Sequence, residues 1–151
     1  MNNIKQYLTA AKQYYDENLL NKFGYPLGVL NIEINEYELE NDLLFPAAYK
    51  EYLLWMGHDK SGVFKGSNWY FTDLKSNQEI LPELLLENDI NFENERKFIC
   101  FFSHQGYMAA WFFLDGVEDD PQCYFYSESN SLKIERFSEF LLNEIKTISS
   151  K

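Results

Sequence analysis

Histidine, cysteine and basic residues are scarce in this chain of 151 residues, and each shortage removes a class of function. His58 and His104 are its only imidazoles, and Cys100 and Cys123 its only thiols. Metal binding needs three or four convergent ligands, so a site would have to draw His58, Asp59, His104 and Asp115 together from separate loops. Missing too are the Gly-rich phosphate loop, the nucleophile elbow, H-E-x-x-H and paired C-x-x-C. Lysine and arginine number 13 against 24 aspartates and glutamates, a net charge of −11. A field of that sign repels nucleic-acid phosphates and anionic lipid and attracts basic partners. No apolar run approaches a membrane span, and the first seven residues lack the apolar stretch of an export signal. These shortages predict a cytoplasmic protein with no cofactor, no metal, no nucleic acid and no membrane partner. They also point away from catalysis.

What is present is material for a core. Thirteen Phe, eleven Tyr and three Trp within a 46% hydrophobic composition are ample for one domain over residues 1–151, without a disulfide or metal staple. Cys100 and Cys123 lie inside apolar runs, which suits buried thiols in a reducing compartment. A single bridge between neighbouring strands stays open as an alternative.

The most legible segment is Phe45-Pro46-Ala47-Ala48-Tyr49-Lys50-Glu51-Tyr52-Leu53-Leu54-Trp55-Met56-Gly57. Pro46 suits a first helical position, and Tyr49, Tyr52, Leu53 and Met56 fall on one helical face. Gly57 is expected to stop the helix in the left-handed conformation. Upstream, residues 3–22 read as an amphipathic helix with Ile4, Tyr7, Leu8, Ala11, Tyr15 and Leu19 inward. A short helix is expected from Asn35, with Glu38 completing a capping box and Ile34 stapled to Leu39. Trp69-Tyr70-Phe71 reads as a short aromatic strand. Pro82 is expected to open a short helix over 83–87, because proline is poorly tolerated inside one. Residues 88–97 read as a polar surface loop.

The second half changes period. Residues 98–103, 107–114 and 122–127 are β-prone and joined by short connections, which predicts antiparallel neighbours. The almost wholly apolar 107–114 suits a central strand. Phe137, Phe140, Leu141, Ile145 and Ile148 mark a closing amphipathic helix. Helices, then a meander, then a helix define an α+β fold: an antiparallel β-meander sheet with helices packed on it.

In this order the pieces resemble the SUKH superfamily, which includes a yeast cell-wall synthesis regulator and bacterial immunity proteins. The resemblance rests on Ile34-Asn35-Glu36-Tyr37-Glu38-Leu39-Glu40, the Phe45-Pro46 helix with its terminal Gly57, Ile99-Cys100-Phe101-Phe102-Ser103-His104-Gln105-Gly106-Tyr107, Phe113-Leu114-Asp115, Cys123-Tyr124-Phe125-Tyr126 and Phe137-Ser138-Glu139-Phe140-Leu141. Two departures stand out. The turn Ser103-His104-Gln105-Gly106 has one glycine where members often have two or more and an acid, and Arg136 stands where a Ser or Asp caps the last helix. The resemblance implies a protein-binding module of the immunity type, neutralising a polymorphic toxin, often a nuclease, by direct contact. Its alternative implication is a regulatory or scaffold domain of the glucan-synthesis regulator type.

A basic protein partner would be met by an acidic face with aromatic anchors. Glu33, Glu36, Glu38, Glu40 and Asp42 form one acidic run, and Asp115, Glu118, Asp119 and Asp120 another. The second is favoured, because loops carry recognition more often than helix starts. It lacks the alternating oxygen ligands of a calcium loop. Trp69 and Tyr70 are the candidate anchors. The sequence leaves the oligomeric state open.

Overall fold

The computed structural model describes residues 5–92, 95–116, 118–128 and 130–149. Its elements run α1 (Thr9–Asn18), α2 (Leu20–Phe23), α3 (Asn31–Glu40), α4 (Ala47–Met56), a 3₁₀ turn (Phe71–Asp73) and α5 (Leu74–Glu87). Then come β1 (Phe98–His104), β2 (Met108–Phe113), β3 (Gln122–Ser127), β4 (Asn130–Arg136) and α6 (Phe137–Ser149). The strands pair in sequence order, each antiparallel to the next. The fold is α+β, with helices packed on an antiparallel meander. Among the described residues no helix is long and apolar enough to cross a membrane.

Alternation along the strands sorts the side chains onto two faces. The first face carries Phe101, Phe102, Ala110, Phe112 and Cys123, and is covered by α4 and α6. A register shift between Cys100 and Phe102 marks a bulge, which lets the consecutive Phe101 and Phe102 both face this core. Tyr49 of α4 is at its centre, with ring centroids 5.4 Å from Phe112 and 5.6 Å from Phe137. Trp69 stacks on Phe64 at 4.5 Å and lies 5.3 Å from Phe101. Tyr52 Oη donates to the Trp69 carbonyl at 2.6 Å, so the polar end of a buried ring is satisfied. Outside this layer α1 packs along α6, and Tyr15 meets Trp55 of α4 edge-on at 5.6 Å. Glu51 of α4 accepts the Tyr7 and Leu8 N–H groups at 2.8 and 3.2 Å, which ties the entry to α1 onto α4.

The second face is smaller. Cys100, Ala109, Trp111 and Tyr126 pack with Leu81, Leu84 and Leu85 of α5. α5 also seals the outer edge of β1. Gln78 donates through Nε2 to the Phe98 carbonyl at 2.9 Å and accepts the Cys100 N–H at 2.6 Å. Beside it Ser103 Oγ donates to Asn77 Oδ1 at 2.7 Å, and Asn77 Nδ2 donates to the Asn68 carbonyl at 2.9 Å. Asn68 itself bridges Ser103 backbone to backbone. An unpaired strand edge is a template for unwanted pairing, and here side-chain amides occupy it.

The cysteines lie on opposite faces with β2 between their strands, and both are free, so the bridge left open by the sequence is not formed. Burial pushes the Cys100 thiol up to about 12 and the Cys123 thiol well above its ordinary value.

Several local expectations are corrected. The N-terminal helix is shorter than 3–22: Tyr7 and Leu8 precede α1, the chain breaks at Leu19, and Asn3 and Ile4 lie outside the described residues. α3 begins at Asn31, not Asn35. Its end is closed by Glu33, whose carboxylate accepts the Leu30 N–H at 2.9 Å, so a carboxylate three residues into the helix served without a capping side chain at Leu30. Ile34 is buried, whereas Leu39 is 83% exposed and cannot staple it.

Pro82 sits inside α5. The ring removes one N–H and crowds the Gln78 carbonyl, at roughly 3 kcal/mol. Burial of Leu74, Leu81, Leu84 and Leu85 offsets this, at about 1.5–3 kcal/mol for each leucine. Trp69 and Tyr70 form no strand of their own; they lead into the 3₁₀ turn. β4 was not anticipated.

Gly57 ends α4, but with φ of −63° rather than in the left-handed region. Space explains the glycine. A Cβ there would lie 2.5 Å from Val29 Cγ2 and 2.8 Å from the Leu53 carbonyl oxygen. The chain before α3 runs against the end of α4, with the Val29 N–H on the Leu53 carbonyl at 2.8 Å. Gly57→Ala is therefore expected to destabilise the protein by about 1–3 kcal/mol. Urea unfolding should show a lower midpoint at unchanged slope.

Candidate functional site

The favoured acidic run, residues 115–120, is exposed but committed to internal bonds; Val117 lies outside the described residues. Asp115 takes a two-pronged contact from Arg96, with Nη2 at 2.8 Å. That guanidinium holds the Asp115 carboxyl below its usual value. Glu118 pairs with Arg136. Asp119 accepts the Tyr7 hydroxyl at 2.9 Å, which raises that phenol's pKa.

Main-chain groups of the same run close two helices. The Ala48 N–H at the start of α4 donates to the Asp119 carbonyl at 2.9 Å, and the Phe137 N–H at the start of α6 donates to the Pro121 carbonyl at 2.9 Å. Asp120 completes the second cap. Its carboxylate accepts the Ser138 N–H at 3.0 Å and the Ser138 hydroxyl at 2.6 Å. The capping side chain missing at Arg136 thus arrives from across the loop.

Trp69 and Tyr70 are not surface anchors. They are 1% and 4% exposed, because both rings are built into the first-face core. What the structure offers instead is a groove of about 970 Å³ between the α3–α4 connection and the acidic loop. Leu39, Leu43, Leu44, Phe45, Pro46 and Leu114 supply its apolar surface. Leu39 and Leu44 stand 83% and 76% exposed on its rim. Glu38 and Asp42 form one bank, Glu118 and Asp119 the other. Acids of two runs separate in sequence thus meet across one apolar floor.

The banks are held differently. Glu38 is buried, accepting the Phe45 N–H at 2.8 Å and pairing with Lys50 at 3.4 Å, so it fixes the turn into α4. Asp42 has φ of 51°, a left-handed position that aspartate tolerates, and its carbonyl and carboxylate both receive Lys97 Nζ. Among the described residues Lys97 is the one base lining the groove. It also borders a second groove of about 650 Å³ that shares Leu43 and Leu114.

Sequence reasoning passed over Leu39, Leu44 and Lys97. The available signal was the run Leu43-Leu44-Phe45 before Pro46, too short to bury every member.

The remaining candidates stay apart. His58 Nε2 lies 3.2 Å from both carboxylate oxygens of Glu33, and the Leu30 N–H together with this imidazole lowers the Glu33 pKa. Asp59 is pushed up by burial, and Asp59 Oδ2 has no hydrogen-bond partner among the described residues. His104 Nδ1 contacts Ser67 Oγ at 3.0 Å at the end of β1. Asp115 follows the opposite end of β2, about 20 Å of strand away. Among the described residues no three His, Cys, Asp or Glu side chains are grouped to hold a metal ion.

No family model, curated protein or solved structure matches this chain.

Two expectations separate the acids by what they hold. Asp120→Ala should cost about 0.5–2 kcal/mol as a lost helix cap, and Glu118→Ala within about 0.5 kcal/mol as an exposed ion pair, both measured by chemical denaturation. Asp115 has a folded-state pKa below its unfolded value, so its contribution is present above the unfolded pKa and is lost as pH falls through the folded one. Asp115→Asn should therefore lower the melting temperature at pH 7, with the gap to wild type closing below about pH 4.

Proposed function

We propose that this protein is a binding module of the SUKH type that neutralises a basic toxin domain, such as a nuclease, by direct contact. The observation that carries the reading is the groove whose banks take two acids from each of the two acidic runs, Glu38 and Asp42 facing Glu118 and Asp119. Protein interfaces gain most from apolar anchors at a desolvated centre, while charge at the rim steers encounter and rejects wrong partners. Leu43, Leu114 and the exposed Leu39 and Leu44 provide the apolar surface, and Asp42, Glu118 and Asp119 the exposed charge beside it.

A net charge of −11 extends that attraction beyond the groove and speeds association with a cationic surface. The groove carboxylates sit in ion pairs and in the turns that close helix ends, which suits presenting fixed charge more than moving protons. The ordered motifs of the SUKH resemblance support the same assignment.

Co-expression with a toxin domain encoded beside its gene is expected to restore growth, and the two proteins should co-purify. An adjacent toxin that stays lethal and unbound overturns the reading. Leu44→Lys leaves the core untouched and should weaken binding at least about tenfold, roughly 1.4 kcal/mol. Undiminished binding by that variant places the contact outside the groove.

A further inference from the structure

The two edges of the sheet are finished differently. β1 is sealed by Asn68, Asn77 and Gln78, whereas no strand lies beyond β4 among the described residues. Leu132, Lys133, Ile134 and Arg136 are exposed there, Ile134 at 56%. Edge strands are usually protected by proline, a bulge or a covering segment. β4 has no proline and, among the described residues, no covering strand. Its register against β3 shifts between Asn130 and Lys133, a bulge at the start of the strand, and is regular from Lys133 to Arg136.

Ile134 also ends a row of side chains. Cys100 faces Trp111, Trp111 faces Tyr124 and Tyr124 faces Ile134, so one line of apolar and aromatic groups crosses all four strands on the second face and stops at the open edge. α5 packs over the β1 end of that row.

We infer that β4 pairs antiparallel with β4 of a second copy of this chain about a two-fold axis at Ile134, joining two four-stranded sheets into one of eight strands. The sequence of β4 selects the occupant and the register. Side chains alternate between faces, so a two-fold axis normal to the sheet must centre on a residue. Centring on Lys133, Glu135 or Arg136 sets like charges opposite each other, which is destabilising. Leu132 lies within the register shift and does not centre a regular ladder.

Only the axis at Ile134 places two apolar side chains at the centre, with Lys133 opposite Glu135 of the partner twice. Glu135 is oriented for this role by Asn143 Nδ2 at 3.2 Å. The sealed β1 edge stops further addition, so the contact closes as a dimer rather than growing into a fibre. So short a ladder is below the standard interface size, and the dimer is accordingly weak. The inference is independent of the groove and its partner.

Sedimentation equilibrium of the whole chain tests it, in about 0.15 M salt so that repulsion between the acidic copies is screened. The mass is expected to rise from 18.0 kDa toward twice that value as protein concentration approaches about 1 mM. Ile134→Lys and Lys133→Glu should each remain at 18.0 kDa while keeping the wild-type near-UV spectrum. Lys133→Glu combined with Glu135→Lys exchanges the charges and should restore the dimer. A wild-type mass fixed at 18.0 kDa overturns the inference. So does a dimer that survives Ile134→Lys, or a charge exchange that fails to restore one broken by Lys133→Glu.

Discussion

The N-termini of α4 and α6 both end against residues 119–121, and much of the molecule depends on that meeting. A helix leaves its first N–H groups without intrahelical partners, and burying them unpaired is costly. Here the carbonyls of Asp119 and Pro121 and the carboxylate of Asp120 take three of them. The two helices that cover the first face are thereby anchored to the β2–β3 connection, and the aromatic cluster of Tyr49, Phe112 and Phe137 is held between helix and sheet. An acidic loop that reads in sequence as free recognition surface is, at its carboxyl end, part of the frame.

That dual use explains why the candidate site is a groove rather than a loop. Because residues 119–121 are fixed against α4, the turn leading into α4 is brought alongside them, and the acids of α3 face those of the loop. Glu38 and Asp120 serve the fold, while Asp42, Glu118 and Asp119 are exposed on the banks. Leu39 at the end of α3 and Leu44 in the connection to α4 stay exposed, since among the described residues no layer covers them.

The parts of the fold legible in the sequence are those with a strong period. α4 and α6 show apolar residues at helical spacing, and β1, β2 and β3 are apolar or aromatic runs between turn residues. What escaped is what long-range contacts decide. β4 carries only Leu132 and Ile134 as large apolar residues, because one side of an edge strand is open. Pro82 inside α5 breaks a local rule that the buried leucines around it outweigh. The start of α3 was displaced because Asn35 and Glu38 fit a capping box as well as any pair in the segment; Glu38 is instead drawn inward to the Phe45 N–H. At the candidate site, the charge was legible and its pairing was not. Arg96 and Arg136 are far in sequence from Asp115 and Glu118, and nothing local in Trp69-Tyr70 distinguishes a surface anchor from a core ring.

Cys100 and Cys123 give the molecule a pair of built-in reporters. One thiol lies under α5 and the other under α6, and neither is reachable while its helix stays docked. Chemical modification of each thiol would therefore time a separate opening event, one for each side of the sheet, without altering a residue. If the two sides breathe independently, the rates differ; if residues 119–121 make the first face the last to yield, Cys123 is the slower.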